Sequence, residues 1–289
     1  MIENLQESYS VNSLCRVFEV NRSSYRYWKK RPKGLTTNQL QTEIAVKAAH
    51  KLSGGSAGAR SISSILTNSG NKLSRYLAAK TMKRVGIVSK QPPKHNYKPA
   101  QKVHIEIPNH LDREFSPVKP NQVWCGDITY LWVGDRWHYL AAVLDLYGRK
   151  IVGFAMSDSP DSDLTKRALM NAYESRGRPK NVMFHSDQGC HYTSIAFRQL
   201  IWKLQIKQSM SRRGNCWDNA PMERFFRSLK SENMPKSGYH SIACATKNVT
   251  NYIFRYYNSV RPHTHNLGLS PKAKEDFYLG TSNRLAKKS

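Results

Sequence analysis

The sequence predicts an α/β protein whose core is a mixed five-stranded sheet with helices, preceded by all-α helix-turn-helix modules. Three observations lead there. Residues 1 to 88 space their apolar side chains at helical intervals; β-branched and aromatic runs begin only at Gln122; and after three such runs helical and strand-like stretches alternate. At 289 residues the chain is long enough for about two domains and one sizeable hydrophobic core.

The first element pair lies in SVNSLCRVFEVNRSSYRYWKKR, residues 10 to 31. Val11, Leu14, Val17 and Phe18 stand at helical spacing, a turn falls near Asn21, and a second helix carries Arg22, Tyr25, Arg26, Tyr27, Lys29, Lys30 and Arg31. Phosphate-seeking charges beside planar side chains suit a groove-reading helix, so residues 1 to 33 read as a helix-turn-helix; a helical hairpin with a solvated basic face fits equally well. After RPKGLTT (31 to 37), residues 34 to 88 predict a second such module: helices over 38 to 50, 60 to 68 and 74 to 85, with Ser74 as an N-cap and Gly86 as a stop. Arg60, Arg75, Lys80, Lys83 and Arg84 are its candidate DNA contacts. Residues 89 to 120, with six prolines and several lysines, read as an extended basic linker.

From Gln122 the runs VWCGDITYLWV, RWHYLAAVLDLYG and KIVGFAMS, with turns at Gly134-Asp135 and Gly148-Arg149, predict three consecutive antiparallel strands. A helix (161 to 175), a strand in NVMFHSD, a helix (193 to 204), a strand in IKQSMS and a helix from about Asn219 follow. That order is the order of an RNase H-like domain, here over residues 121 to 235. Residues 236 to 289 read as a helix (242 to 258) followed by an extended basic tail.

Charge narrows the function. Lys and Arg outnumber Asp and Glu by 46 to 20, a formal charge of +26, and a polyanionic partner is the expected consequence. The first 120 residues hold +14 of it, whereas residues 121 to 235 hold 11 of the 20 acids. Carboxylates in a nucleic-acid-binding surface repel phosphate unless a metal lies between, so spacing must decide whether these acids do chemistry or only decorate a mixed surface. Five scattered cysteines without a C-x-x-C pair indicate neither a disulfide framework nor a zinc finger. No apolar run is long enough for a bilayer, and the first residues lack the layout of a signal peptide, so a cytoplasmic protein without a membrane partner is expected.

Three acids stand out. Asp127 sits mid-strand in WCGDITY among residues that prefer burial, Asp187 ends a strand in FHSDQGCHYTS, and Glu223 lies in the first turn of a helix in NCWDNAPMERFFRSLKSE, with 35 residues between it and Asp187. Phosphoryl transfer through two divalent ions calls for carboxylates converging on one point.

The segments WCGDITY, HSDQGCHYTS, GNCWDNAPMERFFRSLKSE and YNSVRPH together closely resemble the DDE integrase core of bacterial insertion-sequence transposases. More narrowly they are similar to the second-reading-frame product of the frameshifting, circle-forming group, with retroviral integrases as distant relatives. The resemblance runs from about Ser10 to Asp276. It implies that Asp127, Asp187 and Glu223 bind Mg²⁺ or Mn²⁺, two ions per active site with DNA bound, and catalyse strand cleavage and joining. The implied partners are double-stranded DNA (element terminal repeats and target), other copies of the chain on that DNA, and an upstream-frame fusion or partner protein; the implied location is the bacterial cytoplasm, at the nucleoid when DNA-bound. Two departures, Ala57 before Gly58-Ala59-Arg60 where a Tyr is frequent and His191 where a Gln is frequent, concern end recognition rather than the triad. The zinc-binding His/Cys module of retroviral integrases has no counterpart in residues 1 to 120.

Arg227 and Lys230 share a helix face with Glu223 and predict phosphate contacts beside the metal site, while Phe225, Phe226 and Leu229 form the buried face. Arg212 and Arg213 precede that helix and suit DNA backbone; Trp217 suits base stacking or core packing equally. Asp145 reads as a structural carboxylate and Asp218 as a helix cap. Tyr257, Asn258, Arg261, Pro262 and His263 match the family's C-terminal motif and are assigned to DNA or partner contact, Arg261 and His263 as DNA-binding residues. The function expected is an insertion-sequence transposase subunit. The alternatives are a catalytically inactive DNA-binding regulator, disfavoured by the intact acid spacing, and an RNase H-like nuclease without strand transfer, which would need no sequence-reading modules.

Overall fold

A computed structural model describes residues 2–30, 34–90, 107–212 and 215–286, and the chain divides into two compact units, Met1–Ala45 and Val46–Ser289. Most of the basic linker, together with Arg31, His95, His104 and Arg213, lies outside the described residues. Among the described residues no helix is long and apolar enough to cross a membrane.

In the first unit α1 (Ile2–Leu5) and α2 (Val11–Val17) precede α3 (Arg22–Lys30). Ser10 caps α2 by accepting the Ser13 N–H, and Asn21 Oδ1 accepts the Ser23 N–H at the start of α3. The apolar positions are used differently from the spacing expected: Leu14, Cys15 and Tyr25 are buried, whereas Val17 is exposed. Burial removes Tyr25 from the groove-reading set, because its ring packs inward against Trp28 while Arg22, Arg26 and Lys29 stay exposed.

α4 (Thr37–Leu52) spans the boundary, followed by α5 (Ala59–Asn68) and α6 (Arg75–Arg84). Ser74 caps α6 through the Leu77 N–H, as expected, and Ile62, Ile65, Ala78 and Met82 bury the faces between α5 and α6. α5 and α6 do not stand apart from the core. They belong to the same compact unit, where Asn68 Nδ2 donates to the Gly268 carbonyl and Lys90 Nζ to the Glu232 carbonyl.

The sheet has the expected five strands: β1 (Val123–Val133), β2 (Arg136–Asp145), β3 (Lys150–Ser157), β4 (Met183–Ser186) and β5 (Lys207–Met210), in the order β3-β2-β1-β4-β5. β1, β2 and β3 are antiparallel neighbours; β4 runs parallel to β1 and to β5, so β1 is the strand on which the two halves meet. Side-chain alternation along β1 feeds two cores. Cys125, Leu131 and Val133 join one, and Trp124 and Ile128 face the other, with α7 (Ser162–Ser175), the short α8 (Cys190–Thr193) and α9 (Ile195–Lys203). α7 lies so close to β3 that a Cβ at Gly153 would stand 2.4 Å from the Ala172 nitrogen. α10 (Ala220–Glu232) covers the first face through Met222, Phe225, Phe226 and Leu229, three of which were expected there.

The C-terminal region is not an extended tail. α11 (Ile242–Asn251) winds into a π-helical turn, Tyr252–Tyr257, and the chain ends in a further helix, α12 (Pro271–Ala286). Ala245, Val249, Tyr252, Ile253, Tyr256 and Tyr257 pack into the same core as α10. Asn258 then acts as a strand surrogate: its Oδ1 accepts the Ile151 N–H at 3.0 Å and its Nδ2 donates to the Ile151 carbonyl at 2.9 Å, satisfying β3 along its outer edge. Arg261 forks onto Glu232 at 2.6–3.0 Å, reaches Ser228 Oγ at 3.1 Å, and shares Glu232 with the Tyr252 hydroxyl at 2.7 Å. Arg261 is therefore corrected from a DNA contact to the clamp on the end of α10, since its guanidinium is already committed to a carboxylate in a partly buried ion pair. His263 is corrected likewise. Burial, with Arg261 and Arg149 nearby, lowers it to about 3, so it brings no charge to a phosphate, and its Nδ1 accepts the His265 N–H.

Two outcomes follow. Arg261→Ala strands the Glu232 charge, so it should lower unfolding free energy by at least about 2 kcal/mol in a urea titration while leaving the salt dependence of DNA binding unchanged. A folded-state pKa of about 3 for His263 against about 6.5 unfolded means that stability present above pH 6.5 is lost as pH falls toward 3. His263→Gln should flatten that part of the stability–pH curve, read against wild type by chemical denaturation.

Candidate active site

The site is organised around β1. Gly126, beside Asp127, admits the Phe184 ring of β4 directly beneath the strand: a Cβ there would stand 2.3 Å from Phe184 Cζ. The same residue's carbonyl accepts Asn219 Nδ2 at 3.3 Å, which ties the 3-10 turn Cys216–Asn219, and with it the start of α10, to the strand at Asp127. Glu223 thus enters the neighbourhood of Asp127 in the first turn of α10. Asp187 follows the last residue of β4, and parallel pairing of Val123–Cys125 with Met183–His185 brings it to the same end of the sheet.

Electrostatics shows the convergence. Asp127 has the N–H of Ile128 on its Oδ1 at 2.7 Å. Burial pushes its carboxyl well above the usual range, and the Asp187 and Glu223 charges add to the push, against the Ile128 N–H and the Lys230 ammonium. Asp187 is also raised, by partial loss of water at a side chain that remains exposed, with the Gly189 N–H at 3.0 Å and His191 opposing. Tyr192, buried in a cluster with Phe184 and Phe197, feels both aspartates: burial first and their charges second hold its phenol well above 10. Asp127 therefore lies within the field of both of the other acids picked from spacing. Among the described residues, no three His, Cys, Asp or Glu side chains stand close enough together to ligate one ion.

The surroundings are fixed by side chains that sequence reasoning missed. His185, fully buried, has Ser209 Oγ at 2.9 Å from Nδ1 and Ser211 Oγ at 3.2 Å from Nε2. Because Ser209 Oγ accepts the His110 and Leu111 N–H groups, its hydroxyl proton goes to His185 Nδ1, leaving Nε2 to donate to Ser211. This chain of bonds locks β4 to β5 just before Asp187. Asp218 is a loop clamp, not the expected helix cap: it accepts the Arg212 N–H at 2.9 Å, Arg113 Nε at 2.7 Å and Asn109 Nδ2 at 3.0 Å. A motif search could not weigh these residues, since each partner lies on a distant segment.

The remaining candidates divide by exposure. Arg60, Arg75, Lys80, Lys83, Arg84 and Arg227 are exposed; Arg212 is exposed and paired with Asp112. Lys230 is half-buried, with Nζ 4.0 Å from the centre of the Tyr130 ring. Trp217 is 69% exposed, which excludes the core-packing alternative. Asp145 is structural as expected: fully buried, it accepts the Asn121 and Tyr147 N–H groups at 2.7 and 3.0 Å, and Arg176 beside it is bound to Glu275 of α12.

Comparison with known proteins decides the family. Two models described as integrase core domain match residues 117–216 and 204–271. The sequence is 34% identical over 281 residues to the transposase InsF of insertion sequence IS3A from Escherichia coli strain K12, covering 95% of this chain and 97% of that one. The chain belongs to the DDE integrase-core transposases of insertion sequences. The transposase is also 33% identical over 267 residues to a 31 kDa protein of insertion element IS600 from Shigella sonnei, covering 92% of this chain and 98% of that protein. Among solved structures, the HTLV-2 integrase catalytic core, in complex with magnesium, aligns with a TM-score of 0.41 at 18% identity, covering 55% of the transposase and 98% of that chain.

Removing the Phe184 contact tests how the site is held. Gly126→Ala puts a methyl into the Phe184 ring and should displace β4 relative to β1. We expect a fall in melting temperature of several degrees and a loss of end cleavage larger than the loss of folded protein accounts for.

Proposed function

We propose that this transposase cuts and joins DNA strands at Asp127, Asp187 and Glu223, with Mg²⁺ or Mn²⁺ held between the carboxylates. The observation that carries the reading is the Asp127 carboxyl, buried mid-strand within the field of the Asp187 and Glu223 charges, with the Ile128 N–H and the Lys230 ammonium opposing them. Carboxylate oxygens suit hard divalent cations, whose charge would offset the burial of Asp127 and the repulsion from Asp187 and Glu223 that adds to it. Bound there, such ions supply Lewis acidity at the scissile phosphodiester.

In this reading water attacks a phosphodiester at the element end, and the freed 3′ hydroxyl attacks a second one without a covalent protein intermediate. Asp127 and Asp187 would hold the cations from the sheet and Glu223 from α10. Lys230 and Arg227 receive backbone phosphates beside the carboxylates. Arg22, Arg26 and Lys29 in the first unit, and Arg60, Arg75, Lys80, Lys83 and Arg84 in the second, supply the salt-sensitive grip on terminal-repeat and target duplexes. Assembly of several copies on DNA, two ions per site and an upstream-frame partner belong to the same proposal.

The test is nicking and strand transfer on end-containing DNA with Mg²⁺ or Mn²⁺. Glu223→Gln keeps the shape and removes the charge, so DNA affinity should persist while the rate falls about a thousandfold or more. Asp163→Asn, on the exposed face of α7, should stay active. Near-normal cleavage by Glu223→Gln would sink the triad. Arg26→Ala should take about one unit from the salt slope of end binding; an unchanged slope would return α3 to a solvated basic face.

A further inference from the structure

The second unit holds a groove that the strand chemistry leaves unused. It encloses about 710 Å³ and lies where β1, β4 and β5 begin. These three strands run parallel, and their starts are tied edge to edge: the Gln122 carbonyl accepts the Met183 N–H at 2.9 Å, and the Val182 carbonyl accepts the Lys207 N–H at 2.9 Å. Asn121, Asn181 and Gln205 turn the chain just ahead of the strands, with φ of 62°, 61° and 55°. Gln122 Oε1 accepts the Val118 and Lys119 N–H groups at 2.8 and 3.0 Å, which fixes the loop on one wall; His110 and Leu111, also in the lining, have their N–H groups on Ser209 Oγ. Hydrogen bonds across distant segments therefore pre-form the groove.

Charge and composition select its occupant. Lys119, Lys180 and Lys207 line the groove, all three are exposed, and none pairs with a carboxylate among the described residues. Glu114 is the one acid beside them in the lining. Backbone phosphate and sugar are met by lysine together with Asn, Gln and Ser side chains, and Asn121, Asn181, Gln205 and Ser116 supply these here. A protein partner is anchored instead by Trp, Tyr and Arg, with Lys depleted, and among the described residues the lining holds no aromatic ring but that of His110 and no Arg. β4 leads from the groove to the acids: Met183 at its start lines the groove, and Asp187 follows its last residue, about 13 Å along the strand. The groove and Asp187 thus lie at opposite ends of β4, and DNA in one is separate from the strand held at the other.

We infer that this groove docks a second DNA duplex through its backbone phosphates, received by Lys119, Lys180 and Lys207, while a first duplex is engaged at the carboxylates. Lysine meets phosphate as a point charge, so the docked duplex can have any sequence. The inference rests on the reading above, in which one strand is joined to a second phosphodiester and two DNA segments meet on the protein; the docking itself needs no chemistry.

The experiment uses the full chain without divalent metal. An end-containing duplex is immobilised and saturated with protein, and capture of a labelled duplex of unrelated sequence is titrated at several salt concentrations. Wild type should capture the labelled duplex. The triple variant Lys119→Gln, Lys180→Gln, Lys207→Gln should bind the immobilised end as wild type does, lose about tenfold in capture affinity and give up roughly two to three units of the salt slope of capture. Arg at the same three positions should restore capture. A control triple, Lys203→Gln, Lys247→Gln, Lys272→Gln, removes equal charge from exposed positions outside the groove and should capture as wild type. No capture by wild type, equal losses in the two Gln triples, or no rescue by Arg would overturn the docking. Full capture by the groove triple would overturn it too, and would turn the search to another occupant such as an acidic protein segment. Metal-dependent nicking by wild type is scored on its own. Capture through the groove without nicking counts against the strand chemistry alone; nicking with full capture by the groove triple counts against the docking alone.

Discussion

The burial of the Asp127 carboxyl in mid-strand, within the field of the Asp187 and Glu223 charges, is the constraint on which the second unit depends. A carboxyl taken out of water beside like charges destabilises its surroundings, so the sheet and α10 have to be held by contacts that do not depend on the acids. Gly126 supplies two of these at once: it lets Phe184 pass under β1, and its carbonyl receives Asn219 at the head of α10. His185 with Ser209 and Ser211 holds the third side by joining β4 to β5 and to residues 110 and 111.

The far end of α10 is secured by the C-terminal region. Glu232 receives Arg261 and the Tyr252 hydroxyl, so the helix that presents Glu223 at one end is clamped by a partly buried ion pair at the other. Asn258 completes the edge of β3, and Glu275 of α12 receives Lys150 and Arg176 beside the buried Asp145. The YNSVRPH motif, read from sequence as a contact surface, thus works inside the fold. Its polar side chains bond to backbone and carboxylates that would otherwise be buried without partners.

Net positive charge then has a division of labour. Arg22, Arg26 and Lys29 of α3, Arg60 of α5, Arg75, Lys80 and Lys83 of α6 and Arg227 of α10 remain exposed to solvent. Those drawn inward, Arg176 and Arg261, neutralise carboxylates of the frame. Composition reports the sum of both uses and cannot separate them.

The strand runs, the α7 and α10 helices, the Ser74 cap and the mid-strand place of Asp127 were legible in the sequence because each is a local signal. Alternation marks a strand, capping residues mark a helix start, and an acid inside an apolar strand stands out against its neighbours. Tyr25, Arg261 and His263 were misplaced for the complementary reason: an aromatic or basic side chain looks the same in sequence whether it faces phosphate or a carboxylate 29 residues away, as Arg261 faces Glu232. The helix α12, the π turn and the strand-like Asn258 also needed partners from elsewhere in the chain. Local chemistry determined which residues are exceptional; only tertiary packing decided which of them meet, because meeting depends on the path of the whole chain between them.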